Sequence, residues 1–133
     1  MVQYLQIASR ARTELIDITA QVGELVRKSG VSSGVCHLFS LHSTGAITIN
    51  EGADPAVRSV ISRFLSSLVP VDGPFSHGEG NSDAHVKTSL VGPSETVIIE
   101  GGRILLGTWQ AIFFCEFDGP RTRKVAVRIS ADD

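Results

Sequence analysis

Short apolar runs separated by tight turns fill the last third of the chain. Gly101-Gly102 lies between two of these runs and is typical of a two-residue β-hairpin. A second turn, at residues 118–120, separates two further runs, of which 124–130 alternates apolar with polar side chains. The four runs cover residues 96–100, 103–106, 108–117 and 124–130. Connections this short join antiparallel strands, because parallel strands need a long crossover.

Earlier segments add strands and two or three helices. Asp54-Pro55 predicts the start of a helix, with Asp as N-cap and Pro at the first helical position. Gly30 predicts the end of an earlier helix over 19–28. Asp83 or Ser82 is expected to cap a short helix over 84–90. The remaining predicted strands cover residues 2–7, 14–18, 34–41 and 46–50. About seven strands and two or three helices make an α+β domain with a mainly antiparallel, sheet-rich core.

Size and charge exclude several classes of protein. The 133 residues are enough for one domain, over 1–133. The net charge of −2 argues against general attraction to nucleic acid or to an anionic membrane. No apolar run approaches the roughly 20 residues of a membrane span, and the N-terminus lacks a signal-peptide pattern, so a cytoplasmic protein is expected.

Cys36 and Cys115 lie in apolar runs and are expected to be buried, reduced thiols; a catalytic cysteine would need a nearby base.

Three of the four histidines lie in two polar segments. His42 follows a predicted strand, His77 lies in a long loop, and His85 lies in the first turn of the short helix. Three neutral imidazoles with an open position would match a catalytic zinc site. The spacing matches no compact metal motif, so the alternative is that some of them only hydrogen-bond a loop. The fourth, His37, lies in an apolar run and is expected in the core or at an interface.

Carboxylate and amide groups accompany these histidines. Asn50 and Glu51 end a predicted strand, where the scaffold fixes the direction of a side chain. Glu51 could act as general base, as metal ligand or as partner to a histidine. Asp54 is interpreted as a helix cap, and Asp83 is either a cap or a site residue.

Hydroxyl and arginine groups suggest anion binding. Ser43 and Thr44 could hold a phosphate through hydroxyl and backbone N–H groups. Arg103 and Arg121 belong to a positively charged C-terminal third that also contains Arg123, and arginine suits phosphate geometry. The alternative is a solvated sheet face with ion pairs. Trp109 is expected in a pocket, in the core or at a subunit interface.

Several ordered motifs resemble the YjbQ-like family, whose members often carry the description secondary thiamine-phosphate synthase. The matching segments are residues 41–44 (LHST), 47–51 (ITINE), 54–55 (DP), 81–87 (NSDAHVK), 102–110 (GRILLGTWQ), 115–121 (CEFDGPR) and the last strand. The resemblance covers nearly the whole chain. Gly45 departs from it, since members commonly carry Ala or Ser there.

The resemblance implies a compact α+β fold of the YjbQ-like type and a homotrimer. It also implies a polar site that residues of two subunits could share. The implied site residues are His42, Asn50, Glu51, His77, Asp83 and His85.

The implied activity is the joining of a pyrimidine pyrophosphate to a thiazole phosphate. Mg²⁺ on carboxylates and Arg on phosphate would stabilise the departing pyrophosphate. A three-histidine cluster suits zinc better than magnesium. Three hypotheses follow: a thiamine-phosphate synthase-like transferase, a zinc-dependent enzyme on another substrate, and a non-catalytic trimer that binds a small anionic metabolite. The sequence indicates no organic cofactor.

Overall fold

Two antiparallel sheets and three helices form the part of the chain that the computed structural model describes, residues 1–75, 78 and 80–133. The five-stranded sheet has the order β1-β8-β3-β5-β6, and the three-stranded sheet has the order β2-β7-β4. The elements are β1 Gln3–Ala8, β2 Glu14–Asp17, α1 Thr19–Ser29, β3 Ser33–Ser40, β4 Gly45–Glu51, α2 Pro55–Leu68, α3 Ser82–Val91, β5 Ser94–Glu100, β6 Arg103–Ile104, β7 Gln110–Glu116 and β8 Thr122–Ala131. The predicted α+β class and antiparallel pairing are confirmed.

Strand β7 is buried on both faces and joins two hydrophobic clusters. Ile112 and Phe114 point into the larger cluster, which the two sheets and α1 share. Phe113 and Cys115 point the other way, into a smaller cluster that Ile61 of α2 partly covers. Side chains alternate faces along a strand, so seven consecutive buried residues over 111–117 require apolar neighbours on both sides. The core is therefore layered, with β7 in the middle layer.

The helix boundaries follow the local sequence signals. The Asp54 side chain accepts a hydrogen bond from the Ala56 N–H, as predicted for an N-cap before Pro55. Helix α1 ends at Gly30, whose φ of 71° is in the left-handed region that glycine adopts at little cost. Helix α3 begins at Ser82, two residues before the predicted start, with Asn81 as its N-cap residue. Asp83 therefore lies inside the first turn and is not a cap.

Three predictions about single residues have different outcomes. Both cysteines are buried free thiols, as expected, and burial raises the pKa of Cys36 to about 11 and that of Cys115 to about 12. His37, expected in the core or at an interface, is not in the core, and an interface position stays a prediction. Only one face of β3 is buried, through Cys36 and Leu38, and His37 lies on the other, exposed face with its Nδ1 3.3 Å from Thr96 Oγ1. Trp109 is 65% exposed and is not a core residue of this chain.

Gly45 at the start of β4 is packed against an aromatic ring. A Cβ atom at this position would lie 2.4 Å from Cζ of Phe114. Phe114 is fully buried in the larger cluster. Glycine at this position thus has a steric explanation, because the Phe114 ring occupies the space that a methyl group would need.

Membrane insertion through a helix finds no support in the described part of the chain. None of its helices has the length and apolar character needed to cross a bilayer.

Candidate functional site

A polar cavity of about 340 Å³ opens where the β3–β4 connection, the start of α3 and the β7–β8 turn meet. We call it the His42 pocket. Its lining residues are Leu41, His42, Ser43, Thr44, Asn81, His85, Asp118, Arg121 and Arg123. The pocket thus brings together five residues expected to form a site, namely His42, Ser43, Thr44, His85 and Arg121.

A buried ion pair lies under the pocket. Glu116 is fully buried, and its Oε1 accepts a hydrogen bond from Arg123 Nε at 2.8 Å. Arg123 Nη2 makes a second, shorter contact with Oε2 of the same carboxylate. The Ser9 hydroxyl donates to Oε1 at 2.6 Å, and the Asp118 N–H donates to Oε2 at 3.0 Å. Burial alone would raise the pKa of Glu116, but the hydrogen bonds from Arg123 and Ser9 hold it below its ordinary value.

Arg123 also orients Thr44. Its Nη2 donates to the Thr44 hydroxyl oxygen at 3.0 Å and to the Thr44 carbonyl oxygen at 3.2 Å. Because the hydroxyl oxygen already accepts from a cation, its own hydrogen is available to a different acceptor. Thr44 is therefore a donor on the pocket wall.

His42 is held in one tautomer by the backbone of β8. The Lys124 N–H donates to His42 Nε2 at 2.8 Å, and the neighbouring Leu41 N–H donates to the Lys124 carbonyl at 3.3 Å. Nε2 must use its lone pair, so the proton of the neutral ring lies on Nδ1. Burial lowers the pKa of His42, and the charge of Arg123 lowers it further against an opposing effect of Glu116. His42 is thus a neutral Nδ1–H donor.

The opposite side of the pocket is formed by Asp118, Arg121 and Asn81. Asp118 Oδ2 accepts hydrogen bonds from Arg121 Nη2 at 2.8 Å and from Asn81 Nδ2 at 2.9 Å. Arg121 Nε also donates to the Asp118 carbonyl at 2.8 Å. These bonds fix the guanidinium at the edge of the pocket, although the side chain itself remains 53% exposed.

Asp83 lies in the first turn of α3 with a fully buried carboxylate, outside the pocket lining. Arg12 binds both of its oxygens, at 2.9 and 3.1 Å, and Lys87 Nζ binds Oδ2 at 3.0 Å. Burial favours the neutral acid, but the bonds from Arg12 and Lys87 outweigh it and lower the pKa of Asp83. In this arrangement Asp83 joins the first turn of α3, which positions His85, to the β1–β2 connection.

Asn50, Glu51 and Arg103 lie elsewhere in the chain. Glu51 ends β4, six residues from Gly45, or about 20 Å along an extended strand. Its Oε2 accepts from the Ala53 N–H at 2.5 Å and the Asp54 N–H at 3.1 Å. Asn50 Oδ1 accepts from the Glu51 N–H at 2.7 Å. Within one chain, Asn50 and Glu51 shape the turn before α2.

Arg103 lies in a different cavity, which Arg27, Gly101 and Gly102 also line. It therefore does not share a site with Arg121 inside one chain. A phosphate-binding role for Arg103 stays a prediction.

The ring of His42 and the carboxylate of Glu116, as they are hydrogen-bonded here, do not suit a metal ion. A histidine that binds a metal through one ring nitrogen usually donates the N–H of the other to an acceptor. A metal on Nδ1 of His42 would place this proton on Nε2, where it would face the Lys124 N–H, which is itself a donor. Both oxygens of Glu116 are already bonded to donors. Within residues 1–75, 78 and 80–133, no group of three His, Cys, Asp or Glu side chains could hold a metal. His77, the third predicted ligand, lies outside the described residues, so the three-histidine metal site stays a prediction.

The buried ion pair between Glu116 and Arg123 was not predicted from the sequence. Glu116 follows Cys115 inside an apolar run, and Arg123 takes an inward-facing position in line with Val125 and Val127. A charge at a position where the alternation predicts an apolar residue signals a buried partner of opposite charge. That signal was present for both Glu116 and Arg123.

Fold and pocket together define a small two-sheet α+β protein with a donor-rich polar cavity at one end of its sheets. The chain belongs to the UPF0047 protein YjbQ-like family, whose model matches residues 3–132. It is 52% identical over 127 residues to UPF0047 protein MJ1081 of Methanocaldococcus jannaschii, covering 96% of this chain and 92% of that protein. It is 45% identical over 130 residues to UPF0047 protein YugU of Bacillus subtilis, covering 97% and 98%. The predicted family is therefore confirmed.

Solved structures of relatives share the fold. An uncharacterised YjbQ/UPF0047 family protein from Clostridium acetobutylicum superposes with a TM-score of 0.94 at 48% identity, covering 96% of this chain and 99% of its own. A YbjQ-like protein of unknown function from Sulfolobus solfataricus has the same TM-score at 31% identity, covering 99% and 97%. The likeness extends over the whole architecture described above.

Proposed function

We propose that the protein binds a small anionic molecule, a phosphorylated metabolite, in the His42 pocket. The observation that carries this proposal is the set of hydrogen-bond donors on the pocket wall, since three of the four carboxylate oxygens of Asp118 and Glu116 already accept hydrogen bonds. Asn81 Oδ1 is a buried acceptor without a partner among the described residues. The Thr44 hydroxyl, His42 Nδ1–H and the guanidinium of Arg121 then face a ligand as donors. Such a set complements phosphate oxygens.

The balance of charge supports the same ligand. Two cations, Arg121 and Arg123, line the pocket with one acid, Asp118, and the carboxylate of Glu116 lies behind Arg123. Besides burial, the charges of Arg123 and Arg121 both lower the pKa of His42 and only Glu116 opposes them, so positive charge is in excess at this ring. An anion in a partly enclosed pocket is attracted by this excess more strongly than it would be in open solvent.

Titration with inorganic phosphate and pyrophosphate tests the proposal by calorimetry at constant ionic strength. Arg121→Gln should weaken binding at least about tenfold, because a charge-assisted hydrogen bond contributes roughly 1.5–3 kcal/mol. Arg103→Gln is the matched control, since it removes the same charge from a different cavity. Equal affinity of wild type and Arg121→Gln would contradict the proposal, and so would an equal loss in both variants.

A transferase reaction of the thiamine-phosphate synthase type is the second candidate. The donors of the His42 pocket would stabilise the negative charge of a departing pyrophosphate, which is the main requirement of that reaction. Formation of thiamine phosphate from the pyrimidine pyrophosphate and the thiazole phosphate, with Mg²⁺ and then with zinc, is the test. Turnover that survives both His42→Ala and Arg121→Gln would show that the reaction does not use this pocket. Absence of turnover with either metal would exclude the activity itself.

A homotrimer is part of the proposal. Tyr4, Phe39 and Ile98 lie exposed on the outer face of the five-stranded sheet, and apolar surface of this kind favours association. Light scattering should then give three times the 14.2 kDa chain mass. Glu51→Gln tests whether a neighbouring subunit brings this residue to a shared site. If it does, formation of thiamine phosphate should fall in Glu51→Gln. Phosphate binding should not change in this variant if the residues of one chain alone form the His42 pocket.

A further inference from the structure

A second cavity, of about 420 Å³, lies between α2 and β2 and shares no lining residue with the His42 pocket. We call it the Arg58 cavity. Helix α2 contributes Arg58, Ser59, Ser62 and Arg63, which lie on one face of the helix because they are spaced by one turn. Glu14 and Leu15 of β2 and Pro55 at the start of α2 complete the lining. Two arginines and two serines therefore face one open cleft.

Arg58 has an unsatisfied donor in this space. Its Nε is buried and has no hydrogen-bond partner among the described residues. The guanidinium lies over the ring of Phe113, with its carbon 5.2 Å from the ring centroid. Phe113 is almost fully buried, so the ring gives the guanidinium a fixed platform. The guanidinium is therefore held in one position at the cavity, and no described residue satisfies its Nε–H.

The charges in the cavity select a monoanion. Arg58 and Arg63 give two positive charges against one from Glu14. Glu14 is held by the backbone, since its Oε2 accepts hydrogen bonds from the Arg10 N–H at 2.5 Å and the Ala11 N–H at 2.9 Å. One positive charge remains, which matches a carboxylate better than a doubly charged phosphate.

We propose that the Arg58 cavity binds the carboxylate of a small aliphatic acid. Arg58 is its anchor, because a planar guanidinium matches the two oxygens of a carboxylate. The hydroxyls of Ser59 and Ser62 supply further donors. Leu15 and Pro55 provide an apolar wall for a short hydrocarbon tail.

Calorimetric titration of the full chain with sodium butyrate, against sodium chloride at the same ionic strength, tests this site. Butyrate should bind saturably to the wild type, and Arg58→Met should lower its affinity at least about tenfold, because it removes the guanidinium and leaves an apolar side chain beside Phe113. Arg121→Gln should bind butyrate as the wild type does, which separates this site from the proposed function of the His42 pocket. Arg58→Lys keeps the charge but lacks the planar guanidinium, and it should also lose affinity; it replaces Arg58→Met if that variant is not folded.

Three results would overturn the proposal. The first is butyrate that has no more effect than chloride. The second is undiminished binding by both Arg58 variants. The third is inorganic phosphate that binds more tightly than butyrate in a manner dependent on Arg58, which would replace the carboxylate class with phosphate.

Discussion

The buried pair between Glu116 and Arg123 makes the most demanding stability prediction. Glu116→Gln keeps the shape and an acceptor oxygen but removes the negative charge that faces the guanidinium. The side chains are 0% and 3% exposed, so water cannot replace the lost partner. Breaking a buried ion pair from one side costs about 3–5 kcal/mol, and the retained amide oxygen places this change near the lower figure.

That free energy converts to a large change in melting temperature. At about 2.1 cal/mol/K per residue, the unfolding entropy of the 133-residue chain is about 0.28 kcal/mol/K. A loss of about 3 kcal/mol then lowers Tm by about 11 °C. Urea and thermal unfolding at one fixed protein concentration measure both quantities, and the fixed concentration matters because association shifts apparent stability.

Two control variants isolate the charge. Glu24→Gln breaks the exposed pair with Arg27 and should leave Tm nearly unchanged, because solvent screens that pair. The double variant Glu116→Leu with Arg123→Met should be no less stable than Glu116→Gln alone, because apolar replacement of both partners leaves no buried charge. A loss below about 1 kcal/mol for Glu116→Gln would refute the reasoning, since that is the size of an ordinary neutral hydrogen bond.

Three further predictions follow from individual contacts. Gly45→Ala should destabilise the fold by about 1–3 kcal/mol in urea unfolding, because its methyl group overlaps the Phe114 ring; unchanged stability would show that the ring moves freely. The pKa values of Glu116 and Asp83 are lowered, so their stabilisation is complete above the ordinary values of 4.5 and 3.8 and is lost as pH falls below them; Glu116→Gln should show a smaller acid-induced loss than wild type. Long-range ¹H–¹⁵N NMR correlations at pH 7.5 should show His42 protonated at Nδ1 and unprotonated at Nε2; the opposite tautomer would disprove the Lys124 contact.

The fold was largely predictable because its signals are local. The Asp54-Pro55 helix start, the Gly30 helix end and the Gly101-Gly102 hairpin each depend on neighbouring residues, and each is present. The sequence predicts the start of α3 two residues late, because Asn81 takes the N-cap position without a side-chain cap bond. The core alternative for His37 is wrong because buried and exposed residues alternate along β3, although nearly all the residues around His37 are apolar.

The site was predictable only in part, because its partners are distant in sequence. His42 and His85 stood out by residue type, and the fold brings both to one pocket. The bonds that fix their surroundings join residues as far apart as Ser9 and Glu116, or Arg12 and Asp83, which no local pattern specifies. The sequence suggests a site role for Glu51, whereas its carboxylate accepts hydrogen bonds from two backbone N–H groups of a turn. No sequence pattern predicts such a contact.

NMR titration with inorganic phosphate, observed at the His42 ring nitrogens, tests the central claim most directly. Anion binding by the donors of the His42 pocket predicts a saturable shift of the Nδ1–H resonance, with Nε2 still unprotonated and bonded to the Lys124 N–H. The shift should be lost in Arg121→Gln and retained in Arg103→Gln. A His42 ring that does not respond to phosphate, while its resonances move on addition of zinc, would contradict the anion site and favour the metal site instead.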